Sequence, residues 1–314
     1  MKILCVTPWR NTWIDYWTKF LQSRGHQVQW HVSSEISLND INPKLVWADK
    51  VLCHWADKWA QLLSQQQDIK LYVILRSYEI FQFDAWCDLS KIKWENVRQL
   101  FMLNEAHFYP FSCRVKGVKP VFFKNGVDLE EWTPAKKKAS ARNKLAFICG
   151  VNQKKGIELV VQSVHELNKV NSGLTLEHIG QNEDLRRWYY LECVMPHLKT
   201  KWFNHGYENS HKFVQRFLSD KGFIISSSIA EGCPMNILEA MASGVIPLVH
   251  TWPGSEFQFP KEYLWTTFDD LRRIYKRCIK NMASESKKVR KLAETRYDYR
   301  KTYLPVAEIM ESAK

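Results

Sequence analysis

No run in this chain approaches the ~18 consecutive apolar residues a membrane-spanning helix needs. Its opening, Met1-Lys-Ile-Leu-Cys-Val-Thr-Pro8, becomes strand-like too soon to be read as a secretory leader. Eight cysteines are scattered without a C-x-x-C pair or a His/Cys cluster, so zinc-ribbon and thiol-redox spacings are excluded. Cys5, Cys53 and Cys149 lie inside apolar strand-like runs, and the expectation is of reduced, buried thiols in a cytoplasmic protein. No internal repeat or low-complexity tract is present. These absences leave an ordinary globular protein, with 45% hydrophobic and 25% charged residues. At 314 residues it is long for one core, and two domains of about 130–160 residues each are expected.

Two features stand out against that background. Fourteen tryptophans exceed what a core requires, and indole is also a good stacking surface for sugar rings and bases. The net charge of +12 is concentrated: between 272 and 301 there are twelve Lys/Arg against three acids, a local excess of nine positive charges. Such a segment suits a polyanion or an anionic membrane surface, or is simply a solvated helix face.

Along the chain, continuous apolar runs alternate with helical spacing. Lys2–Val6, Val28–Val32, Lys50–Cys53, Leu71–Leu75, Gln99–Leu103 and Val118–Phe123 read as buried strands, with helices over Trp13–Leu21, Asp57–Ser64 and Ala106–Phe111. Residues 134–143 are polar, basic and non-periodic, a linker by composition. The alternation then restarts at Leu145–Cys149. The expectation is an α/β protein of two Rossmann-like domains facing across a cleft: an acceptor domain over 1–133, the linker 134–143 and a second domain over 144–296. A C-terminal helix over 297–314 returns to the first domain.

The most informative stretch runs from Ser226 to Val249. An apolar strand leads into Glu231-Gly-Cys-Pro-Met-Asn236, and a second carboxylate, Glu239, lies eight positions after Glu231 on a short helix. A Gly/Pro turn and a helix N-terminus offer backbone N–H groups and partial positive charge, so the pair suits an anionic, hydroxyl-rich ligand such as a nucleotide sugar. A second loop, Cys149-Gly150-Val-Asn-Gln-Lys154-Lys155-Gly156, follows another apolar strand and is basic.

This pattern resembles the Glu-x7-Glu signature of retaining glycosyltransferases of the GT-B fold, family 4 (glycosyl transferases group 1). The resemblance is strong over about 121–257 and only architectural before that. It implies that Glu239 binds the nucleotide ribose, while Glu231 and the amides of Gly232, Cys233, Pro234, Met235 and Asn236 hold the transferred sugar and diphosphate. Gly150, Lys154 and Lys155 match the family's Gly-Arg…Lys-Gly loop, with Val151 at its Arg position, so Lys155 is expected to neutralise the leaving diphosphate. Lys124-Asn-Gly-Val-Asp128 with Trp132-x-Pro134 resembles the family's turn before the linker. Glu256, in Trp252-Pro-Gly-Ser-Glu256, occupies the place of a donor-facing Glu. No Asp-x-Asp occurs, and the resemblance implies no metal or other cofactor, only a UDP- or GDP-linked sugar.

The first half departs from the family. Pro8-Trp-Arg-Asn-Thr-Trp13 replaces a Gly-Gly loop, and Arg76 replaces a His that faces the donor sugar. Because strand C-termini line the ligand crevice in doubly wound sheets, Trp9, Arg10, Trp13, His54, Trp55, Arg76 and Glu79 are the candidates there, Arg76 as a catalytic group and the others toward the acceptor. Trp13 and Trp17, one helical turn apart, also read as a core stripe. The compact, Trp-rich chain resembles phage-type DNA-modifying members, so a hydroxymethylated DNA base is the expected acceptor. Cell-surface glycan or lipid-linked saccharide assembly is the alternative, with the basic segment on a membrane surface. A non-catalytic nucleic-acid binder on the same scaffold is a third class, disfavoured by the intact Glu231, Lys155 and Glu239.

Overall fold

The computed structural model describes residues 1–81, 87–181, 185–198, 201–208 and 210–312. They form two compact units: Met1–Gly126 together with Tyr299–Lys314, and Val127–Asp298.

The first unit is built on six parallel strands: β1 (Lys2–Thr7), β2 (Gln27–Val32), β3 (Lys50–Cys53), β4 (Leu71–Leu75), β5 (Val97–Met102) and β6 (Pro120–Phe122). Their order is β2-β1-β3-β4-β5-β6. Chain order reverses between β1 and β3, which opens a crevice at the ends of those two strands. Side chains alternate between faces: Leu4, Val6, Val51, Cys53, Val73 and Leu75 join Trp59, Leu63 and Ile80 in one buried cluster. On the helix Trp13–Ser23, Trp13, Ile14, Tyr16, Trp17, Phe20 and Leu21 are all buried. Trp17 stacks on Tyr303, ring centroids 4.0 Å apart. Sequence periodicity passed over the helix Leu38–Trp47, whose interior Pro43 reads as a breaker. Ala106–Phe111 divides into a 3-10 turn, Glu105–His107, and a helix, Phe108–Ser112.

The chain comes back to this unit at its C-terminus. The helix Leu304–Ser312 buries Val306, Ala307 and Met310. Glu311 accepts hydrogen bonds from Arg24 at 2.7 and 2.6 Å and meets His26 Nε2 at 2.8 Å. Lys50 Nζ donates to the Met310 carbonyl.

The second unit carries β7 (Lys144–Ile148), β8 (Thr175–Ile179), β9 (Lys201–Asn204), β10 (Phe223–Ser226), β11 (Ile246–His250) and β12 (Leu264–Trp265). All are parallel, in the order β12-β11-β10-β7-β8-β9. Counted within the unit this is the 3-2-1-4-5-6 order of a Rossmann sheet, and its switch point falls between β7 and β10. Residues 134–143, linker-like in composition, lie inside this unit. The Ala141 carbonyl accepts from Gly222 N at 2.9 Å, and Lys137 Nζ donates to the Leu218 carbonyl at 2.7 Å. A lysine's long aliphatic stem lets a basic segment pack while its ammonium finds a carbonyl. Much of the tryptophan goes to packing, since Trp13, Trp17, Trp59, Trp132, Trp252 and Trp265 are buried. No helix among the described residues is long and apolar enough to cross a membrane.

Hydrogen bonding from Arg24 and His26 holds the Glu311 carboxyl down at about 2. A depressed carboxylate adds stability that is present above its unfolded value of 4.5 and is lost as pH falls toward about 2. Glu311→Gln is expected to lower unfolding free energy by about 1 kcal/mol at neutral pH, after allowance for solvent screening, and to flatten that acid limb. Denaturant titrations from neutral to acid pH check both; an unchanged acid limb would contradict the assignment.

Candidate active site

The two loops that meet at the β7/β10 switch point are the two motif loops. After β7 the chain runs through Gly150 and the turn Gln153–Lys155 to Gly156, which starts the helix Ile157–Asn168. Gly156 has φ +59°, and a Cβ there would stand 2.4 Å from the Ser227 carbonyl oxygen. Only glycine permits both the left-handed backbone and this approach. The loops are stitched together: Ser227 Oγ donates to the Lys155 carbonyl at 2.7 Å, and Ile229 N donates to the Lys154 carbonyl at 3.0 Å. Val151, where the family carries Arg, is fully buried.

This stitching brings Lys154 and Lys155 to Glu231. Lys155 Nζ donates to Glu231 Oε1, Lys154 Nζ lies 3.5 Å from Oε2, and Ser228 Oγ donates to Oε1 at 2.8 Å. Glu231 is 6% exposed. Burial alone would raise its pKa, but Lys155, Lys154 and the Ser228 hydroxyl outweigh it and hold the carboxyl at about 2. The site therefore contains a permanently ionised carboxylate with two ammonium groups beside it.

Glu239 sits on the helix Met235–Ala242, which Pro234 begins. It is 7% exposed, and its Oε1 is buried with no hydrogen-bond partner among the described residues. Burial pushes its carboxyl up to about 7; His211 opposes that rise and Glu131 adds to it. His211 Nδ1 is 2.6 Å from Glu131 Oε1, a pairing across 80 residues that sequence spacing could not reveal. The helix is held at both ends. Asn236 Nδ2 donates to the Ile148 carbonyl at 2.6 Å, which ties it to the end of β7. Arg290 donates to the Ala242 carbonyl at 2.7 Å, to the Leu129 carbonyl at 3.0 Å and to the Trp132 carbonyl, satisfying an end-of-helix acceptor.

The segment Gly232 to Pro234 is buried, and Met235 is half-buried. Gln258 Nε2 donates to the Gly232 carbonyl, and Tyr297 Oη donates to the Gln258 carbonyl, so the turn is braced from behind. Gln258 and Tyr297 were not legible as site residues, because Gln258 reaches Gly232 from 26 positions further on and Tyr297 reaches Gln258 from another 39. Ser228, three before Glu231, was within reach of the motif's own spacing. Glu256 is exposed on the short helix Ser255–Gln258.

The other candidates cluster at the crevice end of the first unit's sheet, but most are interior. Trp13, His54, Arg76 and Glu79 are 5%, 0%, 6% and 0% exposed. The Arg76 guanidinium stacks 3.9 Å from the Trp13 ring centre and donates to the His54 carbonyl at 2.9 Å. His54 stacks on Trp13 at 4.8 Å, and burial holds its imidazole neutral. Glu79 accepts from the backbone N–H groups of Ala56, Arg76 and Ser77 at 3.1–3.3 Å, which joins the loops after β3 and β4. Trp9 and Arg10 are exposed, and Trp55 is half-buried. Buried Trp13, His54 and Glu79 thus support the surface that Trp9, Arg10 and Trp55 present.

The basic segment differs from its linear charge count. Arg272 pairs with Glu166 and Asp269, Arg273 with Asp270, Arg277 with Glu285, Lys288 with Glu262, and Arg290 and Lys291 with Glu294. Four of those acids lie outside 272–301. Among the described residues no three His, Cys, Asp or Glu side chains gather closely enough to hold a metal ion.

Comparison with solved structures gives the class. HepE of Anabaena, crystallised with UDP-glucose, is 12% identical with a TM-score of 0.74, both chains being covered in full. TarM of S. aureus, crystallised with UDP among other ligands, is 15% identical with a TM-score of 0.70 over 88% of this chain; the chain spans 58% of TarM. WaaG, a glycosyltransferase involved in lipopolysaccharide biosynthesis, is 11% identical with a TM-score of 0.66, again over both chains. At such identities the likeness establishes the fold alone, the two Rossmann-like units of a GT-B protein. The glycosyl transferases group 1 profile matches residues 128–291, just over half the chain, and the chain belongs to that family. No curated protein matches it.

Gly156→Ala is expected to cost more than about 1 kcal/mol, from left-handed strain and the clash with Ser227. It would also separate Lys155 from Glu231. Thermal unfolding and UDP binding of the variant check this; wild-type values in both would show that the loops are not locked by this glycine.

Proposed function

We propose that this protein is a retaining, metal-independent glycosyltransferase that uses a nucleoside-diphosphate sugar as donor. The observation that carries the proposal is the pairing at one switch point of two differently tuned buried carboxylates: Glu231, ionised between two lysines, and Glu239, with an unpartnered oxygen. UDP is favoured over GDP because relatives of the same fold were crystallised with UDP or UDP-glucose. No cofactor is required in this reading.

Glu239 Oε1 accepts a ribose hydroxyl, a charged-acceptor bond stronger than a neutral one. Lys155 and Lys154 turn from Glu231 to the diphosphate, which also meets the N–H groups of Gly232, Cys233, Met235 and Asn236, with Pro234 shaping the turn, and the backbone at Gly150. Glu231 then holds sugar hydroxyls, and Glu256 flanks the donor. The bond from anomeric carbon to diphosphate oxygen breaks, with the developing negative charge stabilised by Lys155. The acceptor oxygen bonds to the anomeric carbon on the same face, and its proton passes to the departing phosphate oxygen. Arg76, standing where the family has His, supplies fixed positive charge at the end of β4 in the first unit, to which the acceptor is assigned.

For the acceptor, a hydroxymethylated DNA base drew its support from the compact, Trp-rich chain and from the excess charge of 272–301; the burial of much of the tryptophan and the ion pairs in that segment weaken both. The same ion pairs weaken attachment of that segment to a membrane surface; assembly of a cell-surface glycan or a lipid-linked saccharide by a cytoplasmic enzyme is favoured instead because WaaG, involved in lipopolysaccharide biosynthesis, shares the fold over both chains. A purely nucleic-acid-binding role has no use for Lys155, Glu231 and Glu239 together.

Glu239→Gln is expected to weaken UDP-glucose binding about tenfold, whereas Lys155→Ala should lower turnover about a hundredfold. Steady-state kinetics and calorimetry check both, and wild-type behaviour in the two variants would remove the site assignment. A second expectation concerns pH. With its carboxyl at about 7, Glu239 is largely protonated below neutrality, so UDP-glucose affinity should rise with pH up to about 7, by at most tenfold per unit. Glu239→Gln should remove that component; a wild-type profile that is flat below pH 7 would count against ribose binding by Glu239.

A further inference from the structure

The helix Phe268–Lys280 buries Leu271, Ile274, Tyr275 and Cys278. On its opposite face Asp269, Arg272, Arg273, Lys276, Arg277 and Lys280 recur every three or four positions and so lie one above another. With Asn281 they line a groove of about 480 Å³, outside both motif loops and within the size range of small-ligand sites. The protein does not satisfy these cations equally. Arg272 is met by Glu166 and Asp269, and Arg273 by Asp270 at 2.7 Å. Arg277 has no close carboxylate: Glu285 Oε2 is 3.8 Å away and already accepts from Tyr263 Oη at 2.7 Å. Its Nε is buried with no acceptor among the described residues. Lys276 and Lys280, exposed and one helical turn apart, make no ion pair or hydrogen bond among the described residues. Asn281 is also the N-cap of the helix Met282–Arg296, and its side chain makes no cap bond, which leaves first-turn N–H groups without a capping side chain at that end.

We propose that this groove binds a compact anion carrying two or three phosphate groups, at a site separate from the donor site and independent of the transferase reading. Five cations against one lining acid select an anion. Several charges on one small molecule are needed, because the ligand must draw Arg272 and Arg273 from acids they already hold. Exposed pairs of that kind are weak, and a multiply charged phosphate displaces them. Guanidinium forks match pairs of phosphate oxygens, and lysines one turn apart meet neighbouring phosphates of one molecule. A nucleic acid fits less well. The lining face covers about 18 Å of helix. On the adjoining helix Lys288, Arg290 and Lys291 are already paired with Glu262 and Glu294, which breaks the row a phosphate backbone would follow.

The test is calorimetric titration of the full-length protein with sodium tripolyphosphate at low salt. Saturable binding is expected, and Lys276→Gln with Lys280→Gln in one chain should weaken it at least about tenfold. Both lysines are exposed, so the fold should survive, and thermal unfolding of the variant checks this. Two controls locate the site. Lys154→Ala with Lys155→Ala removes the donor loop's cations and should leave the binding in place. Lys287→Gln with Lys301→Gln removes the same charge from exposed positions outside the groove and should leave the affinity unchanged. Vesicles of phosphatidylcholine, with and without phosphatidylinositol bisphosphate, separate the sources. Sedimentation with the phosphorylated lipid that is lost in the groove variant places the phosphates on a headgroup; binding of the free probe alone places them in solution, and either supports the groove. The proposal is overturned by no saturable binding of tripolyphosphate, by binding of duplex DNA in its place, by loss in the donor-loop variant instead of the groove variant, or by equal loss in the two lysine-to-glutamine variants. Failure of the protein to bind UDP would remove the transferase reading and leave this proposal standing.

Discussion

A carboxylate as buried as Glu231 cannot stay ionised in a low-dielectric crevice without cations at contact distance. Much of the second unit can be understood as meeting that requirement. Lys155 and Lys154 must come from a loop on a different strand, so the loops after β7 and β10 must almost touch. Gly156 allows that approach, and the hydrogen bonds from Ser227 and Ile229 fix it. The strand order supplies the rest, since it makes β7 and β10 neighbours at the switch point although they are far apart in sequence. The pair also gives the lysines a resting partner. In the proposed reaction an arriving diphosphate takes over ammonium groups that are already in place, so little ordering is needed on binding.

Glu239 shows the opposite treatment of the same side chain eight residues on. Among the described residues no ion pair neutralises it; burial dominates over the pull of His211 and the carboxyl rises from 4.5 to about 7. The folded protein therefore holds this proton more tightly than the unfolded chain does. The sign follows: this group favours folding most below pH 4.5, and that advantage is lost as pH rises toward 7. Near neutrality the site carries a destabilising acid with an unpartnered oxygen. Such local cost is tolerated where a ligand is to relieve it. Arg290 and Asn236 hold the helix still, so that the cost is not relaxed by movement.

The strands were legible because buried parallel strands are continuous apolar runs, and Leu71–Leu75 was bounded correctly from that alone. The Glu231-to-Glu239 spacing was legible because strand, turn and helix follow one another without a break. Pairings distant in sequence were not. His211 with Glu131, Gln258 with Gly232 and Arg290 with Ala242 leave no mark in any local window. The basic segment shows the same limit in reverse: counting charges between 272 and 301 omitted Glu166, Glu262, Asp269 and Asp270, which the fold brings to it. Composition marked 134–143 as a linker, and within it Lys137 and the Ala141 carbonyl are bonded to Leu218 and Gly222 of the second unit.

The first unit departed from the family in sequence, and its structure gives that departure a physical form. A Gly-Gly loop after β1 would present backbone N–H groups, which suit an anion. Pro8-Trp-Arg-Asn-Thr-Trp13 presents an exposed indole and turns a second one inward. Trp13 then packs against both Arg76 and His54, so the guanidinium that replaces the family's imidazole is covered by aromatic rings and bonded to a carbonyl. The two substitutions are therefore one change: the arginine is tolerated at the end of β4 because the loop after β1 supplies the ring that stacks on it. A cation so enclosed contributes field and rigidity but little direct contact. What remains for contact at that surface is chiefly aromatic, and an aromatic face selects its ligand by ring shape and hydration rather than by charge.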